Sequence, residues 1–124
     1  MPDLAGLPRI LKRVIELAIQ AGRLIEAELA RPDGPRGEGD KAQVDIEIEE
    51  MLRPGLLQLL ACDFVGEETG ISLSGDAFCW VVDPNDGTAD FLQGRSGSAV
   101  SIGLLHAGLP VLGGGLCASY GLRP

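Results

Sequence analysis

A chain of 124 residues has the size of one compact unit with its own core, and it carries a formal net charge of −8, from 18 acidic against 10 basic side chains. That balance argues against a nucleic-acid binder held by phosphate contacts, which presents a basic patch or stripe. An acidic protein acting on phosphates must bring its own cations, and clustered carboxylates are the hard oxygen ligands that magnesium and calcium take.

From Pro8 to about Ala30, apolar residues recur at three- and four-residue spacing, among them Ile10, Leu11, Val14, Leu17, Ala18, Ala21, Ile25 and Leu29. This predicts an amphipathic helix. Residues 31–41, RPDGPRGEGDK, combine prolines, glycines and charges of both signs and are expected to form a mobile surface loop. A second helix is expected to begin near Asp45, whose carboxylate suits the cap and the helix dipole, with Ile46, Ile48, Met51, Leu52, Leu56, Leu57 and Leu60 on its apolar side. Pro54-Gly55 should kink or break it. Glu47, Glu49 and Glu50 read as its wet side.

Beyond that point the period changes to short β-type runs, each bounded by turn residues: 63–65, 78–82, 99–105 and 111–112. The last two predict a hairpin around His106-Ala107-Gly108-Leu109, with His106 a surface or turn histidine rather than a base. Two helices followed by strands indicate an α+β fold, with two N-terminal helices packed on a largely antiparallel sheet. Cys62, Cys79 and Cys117 are odd in number, lack close zinc spacing and sit among apolar neighbours, which points to a reducing cytoplasm. No basic segment leads into an apolar run of signal-peptide type, and no stretch reaches bilayer length, so no membrane association is expected.

Three carboxylate-bearing pieces stand at the ends of predicted elements: Gly66-Glu67-Glu68-Thr69-Gly70, Asp83-Pro84-Asn85-Asp86-Gly87-Thr88, and Asp45. Two carboxylates three residues apart, with Pro84 suited to a turn, can fold to one side, while Gly87 and Thr88 expose backbone N–H groups to an anion. A metal cage beside an anion cradle is what phosphoryl transfer needs. The same residue types also make ordinary turns, so DPNDGT read alone is more often a loop than a metal site. A calcium loop of the EF-hand type fails on register, since from Asp83 its glycine position falls on Thr88 and its terminal glutamate position on Gly94. Asp40 and Lys41 read as a solvated charge pair, and residues 94–98 as a connecting loop.

The runs VGEETG, WVVDPNDGTADF and SAVSIGLLHAGLPVLG, in this order and spacing, resemble the inositol monophosphatase family, whose pattern includes Gly-Glu-Glu and Asp-Pro-x-Asp-Gly-Thr followed by phenylalanine. DKAQVDIEIE fits the helix before them, so the resemblance covers roughly residues 11–113. It implies magnesium-dependent, lithium-sensitive hydrolysis of a small phosphomonoester (an inositol, sugar or nucleotide 3′-phosphate) by metal-activated water. The fold it implies is the N-terminal half of a layered αβαβα sugar-phosphatase. Carried over residue by residue, Glu67, Asp83, Asp86 and the backbone carbonyl of Asn85 would bind Mg2+. Asp86, Gly87 and Thr88 would hold the substrate. Asp45, Glu67 and Thr88 would be catalytic, with Asp45 and Thr88 a hydrogen-bonded pair beside the attacking water.

Family members are about twice this length, and their second half supplies a further metal-binding aspartate and most of the substrate-selecting contacts. After Gly113 the chain departs from the family pattern, and residues 114–124 are expected to form an irregular tail. The resemblance therefore implies one metal held tolerably, a second held poorly and feeble hydrolysis. The alternative is an inactive remnant that keeps the fold and binds metal weakly. Family members are commonly dimers, which leaves a homodimer open, and uncovered strand edges would favour association.

Overall fold

The computed structural model describes residues 6–39, 41–86, 99–111 and 116–119, with only the backbone described at 41, 84–86, 99 and 116–119. Helix α1 spans Leu7–Leu29 with proline in its first turn, where a missing N–H costs nothing. Its residues Val14, Leu17, Ala18, Ala21 and Ile25 are buried in one stripe. Helix α2 spans Gln43–Leu59 and buries Val44, Ile48, Leu52 and Leu56. The α2 N-cap is Ala42, without a side-chain cap, so Asp45 is a buried first-turn residue rather than the expected cap.

Pro54 does not break α2, because it lies on the exposed face, where solvent can replace the missing hydrogen bond. Gly55 faces α1 instead. A Cβ there would stand 3.1 and 3.2 Å from the methyl groups of Leu17, so glycine lets the two helices approach closely.

The loop expected over residues 31–41 is partly structured. Strands β1 (Gly37–Glu38) and β2 (Lys41–Ala42) pair antiparallel, with Gly37 opposite Ala42. Arg36 anchors the segment to α1: its guanidinium donates to Glu28 at 2.7 and 2.9 Å, and its backbone N–H donates to Glu28 at 2.8 Å. Glu28 is buried, and its carboxyl is held below the usual range chiefly by the Arg36 hydrogen bonds, against the opposing effect of burial. Arg36 also reaches Glu47 on α2 at 3.0 Å, so a single guanidinium ties both helices to the hairpin.

The main sheet contains β3 (Asp63–Gly66), β4 (Gly70–Ser72), β5 (Phe78–Asp86), β6 (Ala99–His106), β7 (Leu109–Pro110) and β8 (Leu116–Ser119). Its order is β4-β3-β5-β6-β7, with β8 also paired to β6, and every pairing is antiparallel except β3 with β5. The helices cover one face, where Trp80 and Val82 of β5 and Val100, Ile102 and Leu104 of β6 alternate inward, while Val81 points away. Trp80 is fully buried and donates its indole N–H to the Leu60 carbonyl at 3.1 Å, which satisfies the polar edge of the ring.

The predicted hairpin after β6 forms on a two-residue turn, Ala107-Gly108, with φ of 50° and 82°, the left-handed pair that matches strand twist. Its return strand sits at 109–110 rather than 111–112. Within the segment expected to be irregular, 116–119 instead form β8, which supplies β6 with a ladder partner from Ala99↔Ser119 to Ile102↔Leu116.

Candidate metal centre

The parallel pairing of β3 with β5 runs from Asp63↔Cys79 to Gly66↔Val82. Glu67 and Asp83 each follow the last registered pair immediately, Glu67 as the first residue of the turn after β3 and Asp83 still within β5. On its other side β5 pairs with β6 through Asp83↔Ser101 and then Asp86↔Ala99, so three steps on β5 match two on β6. This is a β-bulge, and its cause is local: Pro84 has no N–H to give to the ladder. The bulge keeps Asp86 at the same strand end as Asp83.

Glu67, Glu68 and Thr69 form the turn of the β3–β4 hairpin, closed by Gly70 at a φ of 98°. This turn is gripped by α2. Glu49 accepts hydrogen bonds from the backbone N–H of Glu68 at 3.0 Å and from that of Thr69. Arg53, one helical turn on, donates to the Thr69 hydroxyl at 2.8 Å, to the Thr69 and Gly70 carbonyls at 3.2 Å each, and to the Ser72 hydroxyl. Its guanidinium also lies 4.6 Å over the Phe64 ring.

Glu49 is 0% exposed, which corrects its expected place on the wet side of the helix; Glu47 is half-buried and Glu50 exposed. The signal was available, because 45, 48, 49, 52 and 56 form a single helical stripe. Gly66 belongs to the same arrangement: a Cβ there would meet the Glu49 carboxylate at 2.5 and 2.6 Å and the Phe64 ring at 2.8 Å.

Asp45 lies one turn before Glu49 on the same buried face of α2. Glu67 is exposed and Asp83 half-buried. The side chains of Asn85 and Asp86 lie outside the described residues, as do Gly87, Thr88, Asp40 and residues 94–98. Among the described residues, no group of three or more His, Cys, Asp or Glu side chains converges on one point. Glu67 and Asp83, the described acidic residues that directly follow the last β3–β5 register pair, are carboxylates, the ligand type that a hard divalent cation such as magnesium takes.

A cavity of about 440 Å3 opens between the β1–β2 hairpin and the start of α2, lined by Arg36, Gly37, Ala42, Gln43, Ile46 and Glu68. His106 is remote from the acidic strand ends. It pairs with Phe78 at the opposite end of β5, their rings 4.6 Å apart and tilted by 59°, so it packs as an aromatic.

At the start of β3, the Ser74 hydroxyl and N–H donate to Asp63 at 2.7 and 3.0 Å, and these bonds hold its carboxyl below the usual range. Cys62 and Cys79 are free; burial pushes the Cys62 thiol up to about 11 and also raises that of Cys79. No helix among the described residues is long and apolar enough to cross a membrane.

The chain is 32% identical over 109 residues to a probable inositol 1-monophosphatase, ImpA, of Mycobacterium tuberculosis, covering 81% of this chain and 40% of that protein. It is 36% identical over 80 residues to a fructose-1,6-bisphosphatase/inositol-1-monophosphatase of Aquifex aeolicus, covering 63% of this chain and 30% of that protein. The chain thus spans less than half of these relatives. Among solved structures, the extragenic suppressor protein suhB of Bartonella henselae superposes with a TM-score of 0.76 at 26% identity, over 90% of this chain and 44% of that one. CysQ of Bacteroides thetaiotaomicron, a bacterial member of the inositol monophosphatase family, shares the fold with a TM-score of 0.67 at 21% identity, over 94% of this chain and 44% of that one. The family model for inositol monophosphatases matches residues 7–115, and the chain belongs to that family of phosphatases, generally metal-dependent, acting on small phosphorylated substrates.

Proposed function

We propose that this chain carries the magnesium-binding part of a phosphomonoesterase that hydrolyses a small polyol or sugar phosphate. The observation that supports this most directly is the parallel β3–β5 register, which pairs Gly66 with Val82, the residues immediately before Glu67 and Asp83. The substrate class follows from the names of the relatives, which act on inositol and fructose phosphates.

In this reading the carboxylates of Glu67, Asp83 and Asp86 and the Asn85 carbonyl hold the ion. Magnesium, when bound, supplies positive charge to the phosphate oxygens and lowers the pKa of water beside it. Thr88 and Asp45 would form a hydroxyl–carboxylate pair: Asp45 would accept a hydrogen bond from the Thr88 hydroxyl, whose oxygen would then accept one from the attacking water and orient it. The backbone N–H groups of Gly87 and Thr88 hold the phosphate in line. Free, half-buried Cys62 and Cys79 support placement in a reducing cytoplasm.

The test measures phosphate release with magnesium from inositol 1-phosphate, fructose 1,6-bisphosphate and adenosine 3′,5′-bisphosphate, alongside Mn2+ affinity by electron paramagnetic resonance, for the chain and its Asp86→Asn variant. Weak release that is lost in the variant, with Mn2+ affinity falling at least about tenfold, is expected. Release or affinity indifferent to Asp86→Asn would overturn the assignment.

A further inference from the structure

We infer that Glu49 and Arg53 are positioning residues for Glu67, clamping the Glu67–Thr69 turn from α2 so that the Glu67 carboxylate is delivered beside Asp83. The inference rests on the metal reading proposed above. It adds two residues that contribute no atom to the ion.

A three-residue hairpin loop closes on its own backbone once a glycine occupies the left-handed position, and Gly70 at a φ of 98° provides that. The turn is nevertheless held from outside on both of its polar sides. Glu49 takes the N–H groups of Glu68 and Thr69, and Arg53 takes the carbonyls of Thr69 and Gly70. The two residues are four apart on one helix, so their separation is fixed by helix geometry rather than by side-chain choice. A fully buried carboxylate is an expensive group, and a turn that needed only to reverse the chain would not require one.

Three further observations carry the inference toward the site. The clamp falls on the residues directly after Glu67, while Glu67 itself is left exposed. Its seating requires a glycine at 66, the β3 residue paired with Val82 next to Asp83. The helix that bears the clamp also bears Asp45, so one rigid element sets the position of both the Glu67 turn and Asp45. Metal ligands held in this way lose affinity when their supporting hydrogen bonds are cut, because the ligand then has to be ordered at the moment of binding.

The experiment uses the full chain as wild type, Glu49→Gln, Arg53→Lys and Glu67→Gln, each held well below its melting temperature. Amide hydrogen exchange reports the turn, and Mn2+ titration followed by electron paramagnetic resonance reports the site. In Glu49→Gln and Arg53→Lys the Glu68 and Thr69 amides should exchange at least about tenfold faster while core amides of α1 keep their protection. The Mn2+ dissociation constant should rise roughly 10- to 100-fold in both.

A purely structural role predicts lower melting temperatures with Mn2+ affinity within about twofold of wild type, and that result would overturn the inference. Should Glu49→Gln fail to fold, Arg53→Lys, at a half-buried position, carries the test alone. Unchanged affinity in Glu67→Gln would overturn the metal reading itself, and the clamp would then stand or fall on the exchange rates.

Discussion

Gly66→Ala changes one hydrogen to a methyl group in a strand whose backbone any residue can adopt, since Gly66 is not among the glycines with positive φ. At a permissive site the substitution would stabilise the protein by about 0.4–1 kcal/mol, by restricting the unfolded chain. Here the new Cβ would stand 2.5 Å from a Glu49 carboxylate oxygen, 2.6 Å from its carbon and 2.8 Å from the Phe64 ring, all far inside contact distance. Phe64 is itself fully buried, so the carboxylate must move, and its bonds to the Glu68 and Thr69 N–H groups are lost or lengthened. Hydrogen bonds to a charged group contribute roughly 1.5–3 kcal/mol each, so the net destabilisation should be about 3–5 kcal/mol. For a chain of this length that lowers the melting temperature by about 10–20 °C.

Circular dichroism with thermal and urea unfolding measures the change. Gly55→Ala provides the contrast, because only the flexible end of Leu17 lies close, at 3.1–3.2 Å, and the helix gains from alanine; its effect should stay within about 1 kcal/mol. A Gly66→Ala variant as stable as wild type would refute the steric argument. Additivity of Gly66→Ala with Glu49→Ala would refute the identification of Glu49 as the group displaced, since residues in contact couple by about 0.5–3 kcal/mol.

Two further outcomes follow from the titrating groups. The carboxyls of Glu28 and Asp63 sit below their ordinary values of 4.5 and 3.8, so each contributes stability above those values that is lost as pH falls through the lower folded ones. Urea midpoints should therefore be level above about pH 5 and decline toward pH 3, with a shallower decline in Glu28→Gln; an identical slope in that variant would count against the Arg36–Glu28 anchor. The Cys62 thiol, pushed up to about 11 by burial, should alkylate slowly at neutral pH in the native chain and rapidly in urea; labelling at the rate of a free thiol in the native state would contradict its burial.

The sequence by itself determined both helices, the α+β class and the strands around Phe64, Trp80 and Ile102, and it marked the carboxylates at 67, 83 and 86 as candidates. These are properties of local periodicity and residue type: apolar side chains at helical spacing in α1, alternation in β6, and carboxylates among turn residues at 67, 83 and 86. Assigning particular roles to those carboxylates drew on the family resemblance, because turn chemistry alone leaves an ordinary loop in contention.

Tertiary structure decided everything that depends on a distant partner. Pro54 looked like a break, yet α2 runs through it because that face meets solvent. Residues 31–41 looked like a mobile loop, yet Gly37–Glu38 pairs with Lys41–Ala42 beside Arg36, which finds a buried carboxylate eight residues back, on α1. Glu49 looked like a surface charge and is the anchor of the Glu67 turn. Above all, the parallel register of β3 with β5 pairs Gly66 with Val82, the residues just before Glu67 and Asp83, across sixteen residues of chain. A strand's alternation states which face it buries but not which strand it meets or in what register. That choice is made by burial of Phe64, Trp80 and Val82 together beneath the helices.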